Sequence, residues 1–254
     1  MTGLDALPLV AIVWIVLALA AAGLVHGTLG LGFPLVATPL IALITDIKTA
    51  VVLVAPATLV VVFAAILIGG AFLQTLRDWW RMPIWMVLGS LTGTAVFIRA
   101  DAGPLTLLLA LAILVYLGLD RIGHGESERM KRNPHPFGTV FGFFSGFFEG
   151  AVNIAAPPLL IYFLALGLAP VALVKVLNLC FLTGKSTQIS TLIASSAVPP
   201  SVWLATPVAS AVGVATLIVG MRIRNRVDAQ TYRGWMKIAL AAMAVILIAR
   251  FALS

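Results

Sequence analysis

Ten apolar runs follow one another almost to the last residue of this chain, and they leave it one class of fold. They fall at 8–28, 31–45, 49–73, 83–99, 104–120, 137–151, 154–167, 171–194, 201–221 and 235–253. In hydrocarbon every backbone N–H and C=O has to find its partner within the protein, so such runs fold as helices. Over 254 residues the chain is 61% hydrophobic and only 10% charged, whereas a soluble domain carries about 25% charge. The expectation is an all-α integral membrane protein with many crossings and little sequence left for a soluble domain. The N-terminus, MTGLDALPLV, contains no Lys or Arg. The first run therefore reads as a retained helix rather than a cleaved signal.

Two of the runs are short. Segments 31–45 and 154–167 fall below the roughly 20 residues a crossing helix needs. They carry Pro39 and the pair Pro157-Pro158. Short, broken segments point to re-entrant or discontinuous helices, which are tolerated only inside protein or against a cavity. Each belongs to a repeated motif: Gly23, Gly27, Ala37, Pro39 and Leu40, then Gly142, Gly146, Ala156, Pro158 and Leu159, 119 residues further on. Interrupted hydrophobic segments in matching positions of two halves point to a transporter's binding site. The ten runs thus divide into a first repeat over 1–120, a cytoplasmic linker over 121–136 and a second repeat over 137–254.

Charge gives the repeats their orientation. The loop at 74–82 carries Arg77 and Arg81, and the linker carries Arg121, Arg129, Lys131 and Arg132. The loop at 222–234 carries Arg222, Arg224, Arg226 and Arg233, with Lys237 just beyond. All three fall on one side if all ten segments cross, or if the first two of each five form a hairpin. Basic loops mark the cytoplasm, so both termini should be periplasmic. An odd number of crossings per unit inverts the second repeat relative to the first. Basic loops also account for the net charge of +7. The basic clusters have no interleaved aromatics, and nucleic acid is not an expected partner.

Charges within membrane segments are costly and are candidates for function. Lys185 lies about 20 Å from the start of its segment, too deep to snorkel. At about 100° per residue, Lys175, Asn178 and Lys185 fall within an 80° arc, with Gln188 beside it. Such a stripe suits an anion path; it equally suits interhelical hydrogen bonding, with Lys185 paired to Glu149. Lys175, one turn from the expected cytoplasmic end, is as well placed to snorkel as to meet substrate. Glu149, in FFSGFFEGAVN at the second break, either carries a proton or neutralises a lysine. His26, in GLVHGTLG at the first, either relays protons or is simply hydrogen-bonded in place.

The breaks offer backbone as well. Gly23, Gly27, Gly30 and Gly32 permit close approach and unusual dihedrals. Free N–H groups where a helix restarts attract anions, and Thr28, Thr38, Ser145 and Asn153 add donors. The same Gly-x3-Gly spacing also serves close helix packing, and the two uses are compatible. The expected substrate contacts are therefore Lys185, Asn178, Lys175, Gly30, Thr38, Asn153 and Gln188, with Glu149 and His26 for proton coupling. No His-Glu-x-x-His, Walker A or Gly-x-Ser-x-Gly motif is present, so an enzyme is not expected. The three histidines are isolated, and no metal or other cofactor is expected. The lone Cys180 can form no internal disulfide.

The breaks, GLVHGTLGLGFPLVATPLIAL with Ala50 beyond and GFFSGFFEGAVNIAAPPLLIY with Ala172 beyond, resemble those of the sulfite exporter TauE/SafE family of membrane permeases. In that family each half opens with a Gly-rich stretch, then Pro-Leu, then a small-residue helix. The family's Gly-Gly-Gly run is GLG in the first copy here and EGA in the second. The resemblance implies secondary transport of small anions such as sulfite or sulfoacetate, with export across the bacterial inner membrane the usual direction. Uptake, a passive anion channel or a subunit of a larger membrane assembly are the alternatives. The expected partners are the anion and membrane lipid, with self-association left open.

Overall fold

A computed structural model describes residues 8–122, 126–224 and 229–253. The described residues form twelve α-helices and no strand: α1 (Leu9–Leu29), α2 (Phe33–Ala42), α3 (Ile47–Gly69), α4 (Phe72–Trp79), α5 (Arg81–Arg99), α6 (Ala102–Ile122), α7 (Glu128–Arg132), α8 (Pro134–Val152), α9 (Ala156–Ala165), α10 (Pro170–Ala194), α11 (Pro200–Ile223) and α12 (Ala229–Leu253). α1, α3, α5 and α11 are each long and apolar enough to cross a membrane. The core is apolar, and so is much of the surface: Leu9, Val10, Leu73 and Leu204 are exposed. Within that core a minority of polar side chains, Glu149, Lys185 and Gln188 among them, are fully buried. The outer surface is thus suited to lipid, and polar chemistry is confined to a few buried positions.

Ten of the helices match the ten apolar runs. The other two correct the sequence reading. α4 occupies 72–79, expected as loop, because Phe72, Leu76 and Trp79 share one face while Gln74, Arg77 and Asp78 share the other. α7 forms within the linker, its N-terminus capped by Ser127 Oγ accepting from Met130 N–H at 3.4 Å. Arg226 lies outside the described residues. α2 and α9, ten residues each, are about 15 Å long, half a hydrocarbon core, and neither spans alone.

The breaks also fall one turn later than the glycine motif suggested. Gly23 and Gly27 lie within α1, and Gly142 and Gly146 within α8. The chain turns at Gly30 and Asn153, both left-handed, at φ 79° and 64°. Each returns its N–H to the preceding turn, Gly30 to His26 O at 2.7 Å and Asn153 to Glu149 O at 3.0 Å. Glycine and asparagine are the residues that tolerate this cap. In this register the copies are 123 residues apart, not 119. Gly23 matches Gly146, Gly27 matches Gly150, Gly30 matches Asn153 and Pro34 matches Pro157, and α3 and α10 open at Ile47 and Pro170. Glycines recurring every four residues at 142, 146 and 150 made a one-turn slip look equally good in sequence.

Those glycines set two very close crossings, α1 on α11 and α8 on α5. A Cβ on Gly27 would lie 2.2 Å from Leu217 O, and one on Gly150 would lie 2.4 Å from Ser90 O. One on Gly23 would meet Gly213 O at 2.6 Å, and one on Gly146 would meet Met86 O at 2.3 Å. From the other side, a Cβ on Gly220 would meet Leu24 O at 2.6 Å and one on Gly93 would meet Phe147 O at 2.1 Å. The α1 and α8 members of these pairs keep the 123-residue offset, and the α5 and α11 members keep one of 127. Contact for contact, the two crossings are built alike, and in each the helices run parallel. α3 and α10 pack together between them, and α6 packs on α12.

The start of α8 and the end of α9 lie at one end of the bundle, where Tyr162 Oη donates to Pro134 O at 3.0 Å and Ser127 N–H to Ala165 O at 2.8 Å. Arg81 opens α5 there, Arg129 stacks on Phe137, and Lys131 pairs with Glu126 and, at 3.8 Å, with Glu128. Arg81 and the basic linker thus lie at the same end of the bundle.

At the entry to α3, Asp46 accepts Thr49 N–H at 3.0 Å and the Thr49 hydroxyl at 2.6 Å. Partial burial pushes its carboxyl up, but the Thr49 hydrogen bonds outweigh that and hold it below its ordinary value. Asp46→Ala should cost about 1 kcal/mol. A depressed carboxylate contributes above the unfolded value and loses that contribution as pH falls through the folded one. In thermal unfolding, the gap between wild type and Asp46→Ala should be full near neutrality and close in acid.

Candidate functional site

α10 carries the site. Its 25 residues begin with Pro170 in the first turn, where a missing N–H costs nothing. Asn178, Lys185 and Gln188 are buried along it, while Lys175 is half-buried. The helix passes both breaks in turn, and its polar residues form two separate clusters.

The first cluster closes the break after α1. His26 Nε2 lies 3.1 Å from Asn178 Oδ1, and His26 Nδ1 accepts Phe33 N–H at 3.4 Å. An accepting Nδ1 assigns the proton to Nε2, which donates to Asn178. Asn178 Nδ2 in turn donates to Gly30 O at 3.1 Å and to Val174 O at 2.9 Å. His26 is therefore engaged at both ring nitrogens. Gly30 offers this cluster its carbonyl, an acceptor, and no free donor.

The second cluster closes the break after α8. Lys185 Nζ lies 2.6 Å from Glu149 Oε1, both side chains at 0% exposure. It donates to Asn153 Oδ1 at 2.8 Å and to Gln188 Oε1 at 2.7 Å. An ammonium has three N–H groups, and here it has three oxygen neighbours. Gln188 Nε2 donates to Gly150 O at 3.1 Å. Asn153 Nδ2 donates to Val51 O at 3.0 Å and to Thr38 Oγ1 at 3.2 Å. The Lys185–Glu149 contact is an ion pair off the hydrogen-bond line, and neither Glu149 oxygen accepts a hydrogen bond from the protein. Gly184 makes room for it: a Cβ there would lie 3.2 Å from Glu149 Cγ.

Of the two roles open to the α10 stripe, the observed contacts are those of a lysine paired to Glu149. Lys185, Glu149, Asn153, Gln188 and Thr38 come together. Asn178 does not join them: seven residues of helix, about 10 Å, separate it from Lys185. Lys175 stands one turn further away, beside a small cavity of about 40 Å³ with Gly70, Thr75 and Asn178. The free amides expected at the helix restarts are few. Phe33 N–H is taken by His26, and Pro34, Pro157 and Pro158 have none. Thr28 turns its hydroxyl back to Leu24 O and Val25 O.

Sequence reasoning missed Ser90, whose hydroxyl donates to Gly184 O at 2.7 Å and ties α5 to α10 beside Glu149. It also missed Thr94, which is buried and unpartnered near Gly150. Small hydroxyl residues in an apolar helix carry no periodic signal that would mark them. Register matters here too: His26 and Glu149 are 123 residues apart, so each break has one titratable side chain in the turn before its cap. On α10 the matching clarity is lost, since Lys185 corresponds to Val62 of α3.

A family model described as sulfite exporter TauE/SafE matches residues 15–247, which include both clusters. No curated protein and no solved structure matches the chain.

Proposed function

The chain belongs to the sulfite exporter TauE/SafE family, and on that premise we propose a secondary transporter that exports sulfite or a sulfonate such as sulfoacetate across the bacterial inner membrane. In this reading residues 1–120 and 137–254 form two inverted repeats joined by 121–136. The basic end faces the cytoplasm and both termini face the periplasm. The matched caps and matched glycine crossings support the repeat, and the gathered arginines support the orientation.

The observation that carries the reading is the fully buried Lys185, with Glu149 against it. An unaccompanied ammonium is costly within the membrane, so Lys185 needs an anion at all times. Glu149 supplies that anion in the closed state. A proton on Glu149 cancels its charge and frees Lys185 for a sulfite or sulfonate oxygen, while Asn153 and Gln188 keep donating and accepting around it. Proton and anion then move together, and the lysine is never left alone. Lys175 and Asn178 lie on the approach to this site along α10. His26, engaged at both nitrogens, holds the first break.

Flux into proteoliposomes tests the two roles separately. Lys185→Ala should abolish sulfite and sulfonate transport, and undiminished flux at equal expression removes Lys185 from the site. Wild type should accelerate in an imposed pH gradient and Glu149→Gln should not; equal acceleration of both overturns the coupling role. Saturable counterflow with trans-stimulation is expected of this carrier and not of a channel.

A further inference from the structure

The two glycine crossings each leave a groove at the outer end of the helices that form them, and the two grooves differ in character. One, of about 640 Å³, lies between the starts of α5 and α8 and is lined by Arg81, His135 and Thr139. The other, of about 240 Å³, lies between α1 and α11 and is lined by Val208, Ile12 and Val16. These are matching positions: His135 and Thr139 stand 123 residues after Ile12 and Val16, and Val208 stands 127 after Arg81. The same fold thus presents a wholly apolar groove in one copy and, in the other, a groove whose largely aromatic wall of Trp79, Trp80 and Trp85 also carries Asp78, Arg81, His135 and Thr139.

On α8 the groove ends at Gly138 and Thr139, on the face that carries Glu149 about three turns further along. Along α8, His135, Gly138, Thr139, Gly142, Ser145 and Glu149 share about a third of the helix circumference at roughly 100° per residue. Gly138 and Glu149 are about 16 Å apart by helical rise. Ser145, one turn before Glu149, is fully buried, and its Oγ has no hydrogen-bond partner. Buried polar atoms are ordinarily paired, and exceptions need a reason. Met82, on the groove wall and against Gly142, and Met86, against Gly184 beside Glu149, are both buried. Methionine is the flexible choice for such a position. In the other copy Ala22 occupies the place of Ser145, and the line ends at the doubly bonded His26.

We propose that the groove between α5 and α8 is the inlet through which protons reach Glu149, with the Ser145 hydroxyl as its inner station and Met82 and Met86 as its seal. The proposal rests on the reading of Glu149 as the proton-carrying group. Ser145 Oγ takes one proton on a lone pair as it releases its own to a water between it and Glu149, and that water passes one on to the carboxylate, so one proton enters and one arrives. The charged and titratable groups along the route are Asp78, Arg81 and His135 at the mouth and Tyr162 of α9 on its wall. Lys185 and Cys180 of α10 stand across from Glu149.

Accessibility of introduced thiols tests the inlet without reference to transport. In full-length protein lacking its own thiol (Cys180→Ala), Thr139→Cys should react readily with a small water-soluble thiol reagent. Ser145→Cys should react at least about tenfold faster than Ala22→Cys, its counterpart in the apolar copy, because access governs thiol reactivity. Equal rates at Ser145→Cys and Ala22→Cys, beside a reactive Thr139→Cys, overturn the proposal. A second measurement reads the proton itself. Ser145→Ala should lose most of the acceleration given by an imposed pH gradient while keeping substrate exchange, and Ser145→Thr should regain it. Unchanged acceleration in Ser145→Ala also overturns the inlet. A Glu149→Gln variant that still accelerates, with the labelling pattern intact, sinks the coupling role and leaves the route standing.

Discussion

Lys185→Met should destabilise the folded protein by about 3–5 kcal/mol, the cost of leaving one member of a buried ion pair without its partner. Three oxygens face the ammonium within 2.8 Å. Methionine fills its space but leaves Asn153 Oδ1 and Gln188 Oε1 without a donor and the Glu149 carboxylate without its counter-charge. The double variant Lys185→Met/Glu149→Gln removes both charges and should recover most of the loss. It should not recover transport, since no cation remains for the substrate. Thermal unfolding in detergent reads the first outcome and vesicle flux the second. A single variant as stable as wild type would show that the pair contributes nothing to folding. A double variant that transports would show that the anion is held elsewhere.

Gly27→Ala and Gly150→Ala should prevent assembly of the folded bundle, although alanine is the better helix former. The added methyl group would sit 2.2 Å from Leu217 O in the first case and 2.4 Å from Ser90 O in the second. Both obstacles are backbone, so no rotamer change relieves them; the helices have to separate. Separation at Gly150 also moves α8 and thereby Glu149 away from α10. Gly118→Ala is the control, because nothing lies within 4 Å of its new Cβ. It should be neutral or stabilise α6 by up to about 1 kcal/mol, the usual gain over glycine in a helix. Yield of monodisperse protein separates the outcomes. Equal yields from all three variants would mean that the crossings open without penalty.

The helices were legible in the sequence because hydrocarbon imposes a plain rule of length and polarity, and ten of the twelve follow it. α4 and α7 were not, since they lie along the edge of the bundle and owe their form to local periodicity and a serine cap. The candidate site was legible as chemistry, because a lysine, a glutamate and an asparagine deep in apolar sequence have few alternatives to one another. Its geometry was less so. Sequence placed Asn178 and Lys185 on one stripe of α10, which is correct. The stripe says nothing of which break each residue meets, and they meet different ones. The break positions depended on a left-handed cap that Asn153 supplies as well as Gly30, and a motif built on glycine alone passes over asparagine. The groove that carries Arg81 and His135 arises from residues far apart in sequence, and only the matched register shows these charged and titratable groups as a departure from its apolar twin.

The parallel contact of α1 with α11, and of α8 with α5, also bears on how the chain is made. α1 is made before the other described helices, yet the backbone its glycines are cut to fit belongs to a helix that begins only at Pro200. At about 5–20 residues per second of synthesis, the Gly23–Gly27 surface waits roughly 10–35 s for its partner. During that interval α1 can be retained only by lipid, by α2 and α3, or by an attendant insertase. Neither half can finish alone, and co-expressing them as separate polypeptides cut at the linker should yield a complex where either fragment by itself yields none.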